Sequence, residues 1–495
     1  MNTRSAMKKP MPEPHKPADT PGIWLITNCA LLLVALHWLA PSSVSAEAPA
    51  KLPFYFLEQT DLSMASNIAF QVNSVAQQPP APIFWPTPKD KPECSYVPVS
   101  AEEQPGVVRI WYQRIDPSES EQVNQRVLCV GEMKEGVFVV PKLARTLSPW
   151  PSEPNVVMRR SPYRPTWGGF NVHQILARPQ GQNQASPYAM VYWDQPLKGD
   201  AGALLAISQN GLDWTASSES ALFTEHNDAF TLIWNDQTRE YWLYQTKLED
   251  WPDKPYPDNL AKWRRVISLR RSRDLKSWGP QEVILRPDEQ DSKPREFYLL
   301  KVFKYGFRFA GHLMRYEADP DRPNKHGSRT TTELILSDDG LHWRRPFRGM
   351  DVGFWSYADG FRQNGKLCFV TGGSSGLRLH QLRLEGLVAC GTPEEATNAA
   401  TSSFVTHLFK FPEFGLLLNF DASKGVLNAE LLDEEGKPIP GFTSKGSRYQ
   451  GVNGTRVALK WGEQGFSQIK NQPVRLRLIL ENAKVYAVMQ NPSSI

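Results

Sequence analysis

Cysteine is scarce in this chain, at five in 495 residues, and no CxxC or His-rich spacing accompanies it. That excludes the common structural zinc sites, so no cofactor is expected, although a divalent ion in a central channel stays open. Cys29 falls in an N-terminal apolar segment; the other four would suit pairing as Cys94–Cys129 and Cys368–Cys390 in an oxidising compartment. Long basic runs are missing after residue 50, and the net charge is only +4. A nucleic-acid partner is therefore not expected, since it needs Lys and Arg clustered on one face. The nearest cluster, Arg264-Arg265 with Arg270-Arg271, falls in a strand pattern and reads as solvated strand edges, where charge discourages edge pairing. Helical periodicity is nearly absent between residues 90 and 390.

The N-terminus carries a targeting signal. Arg4, Lys8, Lys9 and Lys16 precede an apolar run from Ile23 to Ala40, and Val44-Ser45-Ala46 follows as a small-x-small cleavage pattern. This predicts a signal peptide over residues 1–46, and export to the periplasm, medium or cell surface. The rival reading is an uncleaved anchor that contacts the membrane only through residues 23–40; Thr27, Asn28 and His37 interrupt that run.

What the chain does have is tryptophan, 16 in all, of which 13 lie between Trp85 and Trp355. An aromatic strand, then a strand ending in a turn and a Trp, recurs. The copies close at Asn210-Gly211 with Trp214, at Asp274 with Trp278, and at Asp339-Gly340 with Trp343, so the markers are 64 and 65 residues apart. Asn-Gly and Asp-Gly tolerate the positive φ that tight hairpins require. Weaker copies flank these three: Val107 to Gln113 with Arg126 to Val130, and Lys366 to Gly372 with Leu377 to Leu384. Repeated sheets of this kind close into a ring. The expected fold is all-β, a five-bladed β-propeller over residues 53–390, with the strand near Phe54 to Leu57 completing the last blade. After a small, polar linker, short strands near Leu416, Val426, Val457 and Val474 predict a β-sandwich over residues 401–490.

Blade openings are where polar groups can converge. Three openings carry acids one blade apart: Asp228 in His226-Asn227-Asp228, Glu296 before Phe297-Tyr298, and Asp359 after Trp355-Ser-Tyr357-Ala358. They are the candidate catalytic residues, because two carboxylates across a funnel suit glycoside hydrolysis. His173, His226, Tyr298 and Trp355 are the candidate substrate contacts. Against this stands the reading that the acids only accept hydrogen bonds from blade-opening amides or pair with Arg295. The opening before Asp228 holds Asn171 and His173 and no acid. Ser337 to Trp343 is one residue short of a sialidase Asp-box and reads as a turn that packs its Trp between blades.

The hairpins Ser208 to Trp214 and Ser337 to Trp343, the opening Glu296-Phe297-Tyr298, and the segments Leu417 to Ser423 and Glu430 to Gly441 resemble the five-bladed propeller glycosidases. These are relatives of glycoside hydrolase families 32, 43 and 117, here of a secreted bacterial branch with an appended sandwich. The resemblance covers about residues 53–490. It implies a carbohydrate partner, Glu296 as general acid and Asp228 as the group that modulates it. It places the base near Asn171 and His173, where this chain departs from the pattern; Asp359, Glu58 or Asp61 would have to substitute. Two functions follow: an exported glycoside hydrolase, or a non-catalytic glycan-binding or scaffold propeller.

Overall fold

The computed structural model describes residues 49–492 apart from 74–80, 85–93, 120–122, 124, 141–154, 179–185, 218, 226, 256–257, 320, 322–327, 375 and 395–400. Residues 1–46, where a signal peptide is expected, and the candidate contact His226 lie outside the described residues. Among those described, regular structure is β with short 3-10 turns, and the strands pair antiparallel.

Five sheets follow one another along the chain. Blade one runs Ser95–Gln104, Val107–Ile115, Arg126–Lys134 and Val137–Val139, with Val156–Arg159 added on Arg126–Lys134. Blade two begins at Asn171–Val172 and continues through Tyr188–Asp194 and Gly202–Ser208 to Thr215–Ala216. Blade three is Phe230–Asn235, Glu240–Asp250, Trp263–Ser272 and Glu282–Leu285. Blade four is Arg295–Tyr305, Arg308–Glu317 and Arg329–Ser337, with a bridge from Leu336 to Arg344 in place of a fourth strand. Blade five is Phe361–Gln363, Lys366–Gly373 and Gly376–Arg383, and Ala81–Phe84 is its outer strand.

The ring is closed by packing. Consecutive side chains of a strand face opposite ways, and here both faces of a blade are buried. In Tyr188–Asp194, Met190 and Tyr192 join Trp111 and Leu128 of blade one, whereas Ala189, Val191 and Trp193 join Phe230 and Leu243 of blade three. Blades three and four share Trp242, Ile267, Phe297 and Leu300, and blades four and five share Ala310, Leu336, Phe369 and Leu382. Blade five returns to blade one through Cys368 and Val370 against Tyr96 and Ile110. Five cores thus follow in cyclic order. First strands also bond one another: Ser100 Oγ donates to the Ile175 carbonyl at 2.9 Å, the Leu232 amide donates to Gln174 Oε1 at 2.9 Å, and Thr231 Oγ1 donates to the Leu300 carbonyl at 2.7 Å. They are the inner strands that surround the axis.

The repeated turns act between blades. Ser337 Oγ receives the Gly340 amide at 2.8 Å, Asp339 Oδ1 receives those of Leu341 and His342, and Trp343 Nε1 returns to the Gly340 carbonyl at 3.1 Å. The same bonds form at Ser208 to Trp214 and at Ser272 to Trp278, where Leu275 takes the glycine's place with φ of 66°. The preceding blade reaches these turns through Trp111 Nε1, 2.7 Å from the Gly211 carbonyl, and Tyr244 Oη, 3.0 Å from the Gly340 carbonyl.

Four expectations need correction. The strand near Phe54 does not close the ring: Phe54 and Tyr55 pair with Val488 and Ala487 in the sandwich. Closure falls to Ala81–Phe84, which lies next to the start of blade one in sequence. The sandwich also takes Leu62–Ser66 and Ala69–Val72 from before the propeller, and Val388–Gly391 after it, so its two sheets draw on both ends of the ring. The four described cysteines are buried thiols, with no disulfide among them. Finally, Arg265 and Arg270 are not solvated: both are buried, and only Arg264 and Arg271 reach the surface.

Candidate functional site

Asp228 ends the loop into blade three, just before its first strand, Phe230–Asn235, and is half-buried. Its Oδ2 accepts from Asn171 Nδ2 at 2.5 Å, and its carbonyl lies 3.0 Å from His173 Nε2. Asn171 is held in turn by Arg126, whose Nη1 donates to Asn171 Oδ1 at 2.5 Å. His173 stacks on Tyr357 with ring centroids 4.4 Å apart, and Tyr357 meets Trp355 edge-on at 5.6 Å. Burial pushes the His173 imidazole down to about 4, against the charge of Asp228, so the ring is neutral at physiological pH. Burial, with the charges of Tyr298 and Asp228, raises the Tyr357 phenol.

Gly168 closes the other side. A Cβ there would lie 2.8 Å from Trp193 Nε1 and 3.4 Å from Asp228 Oδ2, and φ is +70°. Only glycine leaves this space open, and the indole N–H of Trp193 has no hydrogen-bond partner among the described residues. His173 Nδ1 is likewise unpartnered. Beside them Trp167 packs on Trp193 at 4.5 Å and is 37% exposed, as Tyr163 is at 44%.

Asp359 is placed differently. Its Oδ1 lies 2.7 Å from the buried Lys301 Nζ, and Gln174 Nε2 donates to its Oδ2 at 3.2 Å. Burial lowers the Lys301 ammonium, with Asp359 opposing. Asp359 lines a cavity of about 470 Å³ on the side of the ring toward Tyr55 and Leu384, together with Glu103, Asp236, Lys304 and Arg362.

Glu296 is in neither place. It is fully buried between blades three and four, where Oε2 accepts from the Arg265 amide at 2.9 Å and from Arg265 Nη1 at 2.8 Å, and Oε1 lies 2.7 Å from Lys254 Nζ. Asp258 completes the cluster, 2.9 Å from both Lys254 and Arg265, with the Tyr316 hydroxyl donating at 2.7 Å. Tyr298 lies against it, its ring centroid 5.4 Å from the Arg265 guanidinium. A general acid must keep its proton near neutral pH; the two cations that Glu296 shares with Asp258 instead hold the carboxylate in its charged form. The three candidate acids have separate partners: Asn171 for Asp228, Arg265 and Lys254 for Glu296, and Lys301 and Gln174 for Asp359. Glu58 and Asp61 do not substitute either, since they pair with Arg344 and Arg308 outside the channel.

No protein-family model matches the chain, and no curated protein does. Solved structures do. The fold is similar to that of solved glycoside hydrolases. A structure described as a glycoside hydrolase is 12% identical, with 62% of this chain and 93% of that one covered and a TM-score of 0.37. A fructofuranosidase variant from Schwanniomyces occidentalis, complexed with fructosylnystose, is 7% identical over 84% and 98% of the two chains, with a TM-score of 0.39. An endo-arabinase from Bacteroides thetaiotaomicron is 9% identical over 58% and 93%, with a TM-score of 0.37. The ring of five sheets described above rests on this chain's own strand pairing.

Sequence reasoning missed the groups that decide these roles. Lys254 and Asp258 come from the loop between the second and third strands of blade three. The signal available was the density of prolines there, Pro252, Pro255 and Pro257, which restrict the backbone around two charged residues. Gly168, Trp167 and Arg126 carry no motif and are recognisable only once blades one to three stand side by side.

Proposed function

We propose that the chain is an exported, glycoside hydrolase-like propeller whose Asp228 mouth binds a glycan without cleaving it. The observation that supports this most directly is the isolation of Asp228. It faces Asn171, His173 and Arg126, while Glu296 is locked between Lys254 and Arg265. Hydrolysis by acid and base needs two carboxylates about 5–10 Å apart across the bond; binding needs one acceptor, several donors and an apolar platform. The mouth offers the Asp228 carboxylate and the exposed rings of Trp167 and Tyr163. Aromatic side chains of this kind supply an apolar face with a polar rim. Export rests on the basic, apolar and small-x-small pattern of residues 4–46.

A panel of immobilised polysaccharides, probed with the purified protein, tests the reading. Retention should fall about tenfold or more in Trp167→Ala and in Asp228→Asn, and prolonged incubation should release no new reducing ends. Reducing ends that appear with the wild type and vanish in Asp228→Asn would make the site catalytic. Failure to retain any glycan would remove the carbohydrate reading altogether.

A further inference from the structure

Near Asp228 the structure sets two arginines side by side, one of which keeps unused donors. Arg159 faces Val127 across the strand pairing, so the next pair outward sets Arg160 beside Arg126. Like charges directly opposite one another are unfavourable, and burial with the Arg160 charge lowers the Arg126 guanidinium against the pull of Asp228. Arg126 is engaged with Asn171 Oδ1. Arg160 is only 8% exposed, yet its Nε and Nη2 have no hydrogen-bond partner among the described residues. Asp194 lies within electrostatic range of Arg160, but its oxygens accept from the amides of Ser161 at 2.6 Å and Gln195 at 2.8 Å.

We infer that this mouth takes an acidic glycan, with the anionic group of a sugar, a carboxylate or a sulfate ester, received by Arg160 beside Arg126. The inference rests on the reading that the Asp228 mouth binds a glycan and names the substrate class. A guanidinium presents its N–H groups as a fork that matches such oxyanions in two parallel bonds. A buried guanidinium with two unused donors is poised to make them, and an incoming anion would relieve the repulsion between the two arginines. Asp228 lies on the Arg126 side and is already bonded to Asn171, which leaves the Arg160 side for the anion.

The test compares galacturonate oligosaccharides with the same oligosaccharides after carboxyl reduction, and with a sulfated galactan, by titration calorimetry on the purified protein. At least one charged ligand should bind tenfold or more tighter than the reduced one, and the advantage should shrink as salt is raised. Whichever charged ligand binds tighter identifies the group as carboxylate or sulfate. Arg160→Gln should lose the preference while still binding the reduced oligosaccharide. Equal affinity of the wild type for charged and reduced ligands overturns the inference and leaves glycan binding standing. A preference kept in Arg160→Gln overturns it as well. Should that variant fail to fold, the wild-type comparison alone decides. Absence of binding to every glycan refutes the proposed function and this inference with it.

Discussion

Replacing Glu296 by glutamine removes one negative charge from a buried, neutral cluster of two acids and two cations. Lys254, Arg265, Asp258 and Glu296 have side chains at most 1% exposed, so water cannot compensate. Breaking a buried pair by deleting one partner costs about 3–5 kcal/mol, because the surviving charge is left in a poor solvent. Unfolding entropy is about 2.1 cal/mol/K per residue, or about 1 kcal/mol/K over roughly 450 residues, so Tm should fall by about 3–5 °C. Differential scanning calorimetry at neutral pH reads the shift, and glycan binding at 20 °C should not change. An unchanged Tm would show that the cluster is solvated. Lost binding at an unchanged Tm would put Glu296 against the ligand and restore it as a site residue.

Gly340→Ala should destabilise by about 1–3 kcal/mol, since φ is +75° and its Cβ would lie 2.8 Å from Trp242 Cζ3. Gly349→Ala, with φ of +81° but nothing within 4 Å, should cost only about 1 kcal/mol. Equal melting shifts in the two variants would refute the steric part of the argument. Burial, helped by the Lys301 charge, holds His312 down to about 3, and burial against the pull of Asp228 holds His173 to about 4, both below the ordinary 6.5. Both therefore contribute stability that is complete above about pH 6.5 and is lost on acidification, at up to about 1.4 kcal/mol per pH unit each. His312→Phe, which sets a ring among Phe303, Phe354 and Phe369, should flatten the fall of Tm between pH 6.5 and 4; an unaltered slope would rule His312 out. N-terminal sequencing of the exported protein should begin at Glu47, and full-length chain held in a membrane fraction would favour the anchor.

Local chemistry is what the sequence determined. The Ser-x-Asn/Asp-Gly-x-x-Trp turns are built almost wholly from bonds within seven residues, so their spacing of about 65 residues was legible and carried the blade repeat with it. Strand content and the late sandwich core were legible for the same reason. Which early strand completes the last blade was not. Phe54–Tyr55 and Ala81–Phe84 are both short, and only the open edge at Gly376–Arg383 selects between them. The site was the least legible part. Its place at a blade opening suggested that Glu296 faces a channel, but blade faces pack on neighbouring blades, so a side chain that leaves one sheet enters the next. Glu296 met Arg265 and Lys254 there, and Asp228 met Asn171 and His173 of blade two. Those partners lie 31, 42, 57 and 55 residues away in the chain. Pairing over such separations leaves no local pattern, and it arises only when neighbouring sheets close into a ring and exclude water from the space between them.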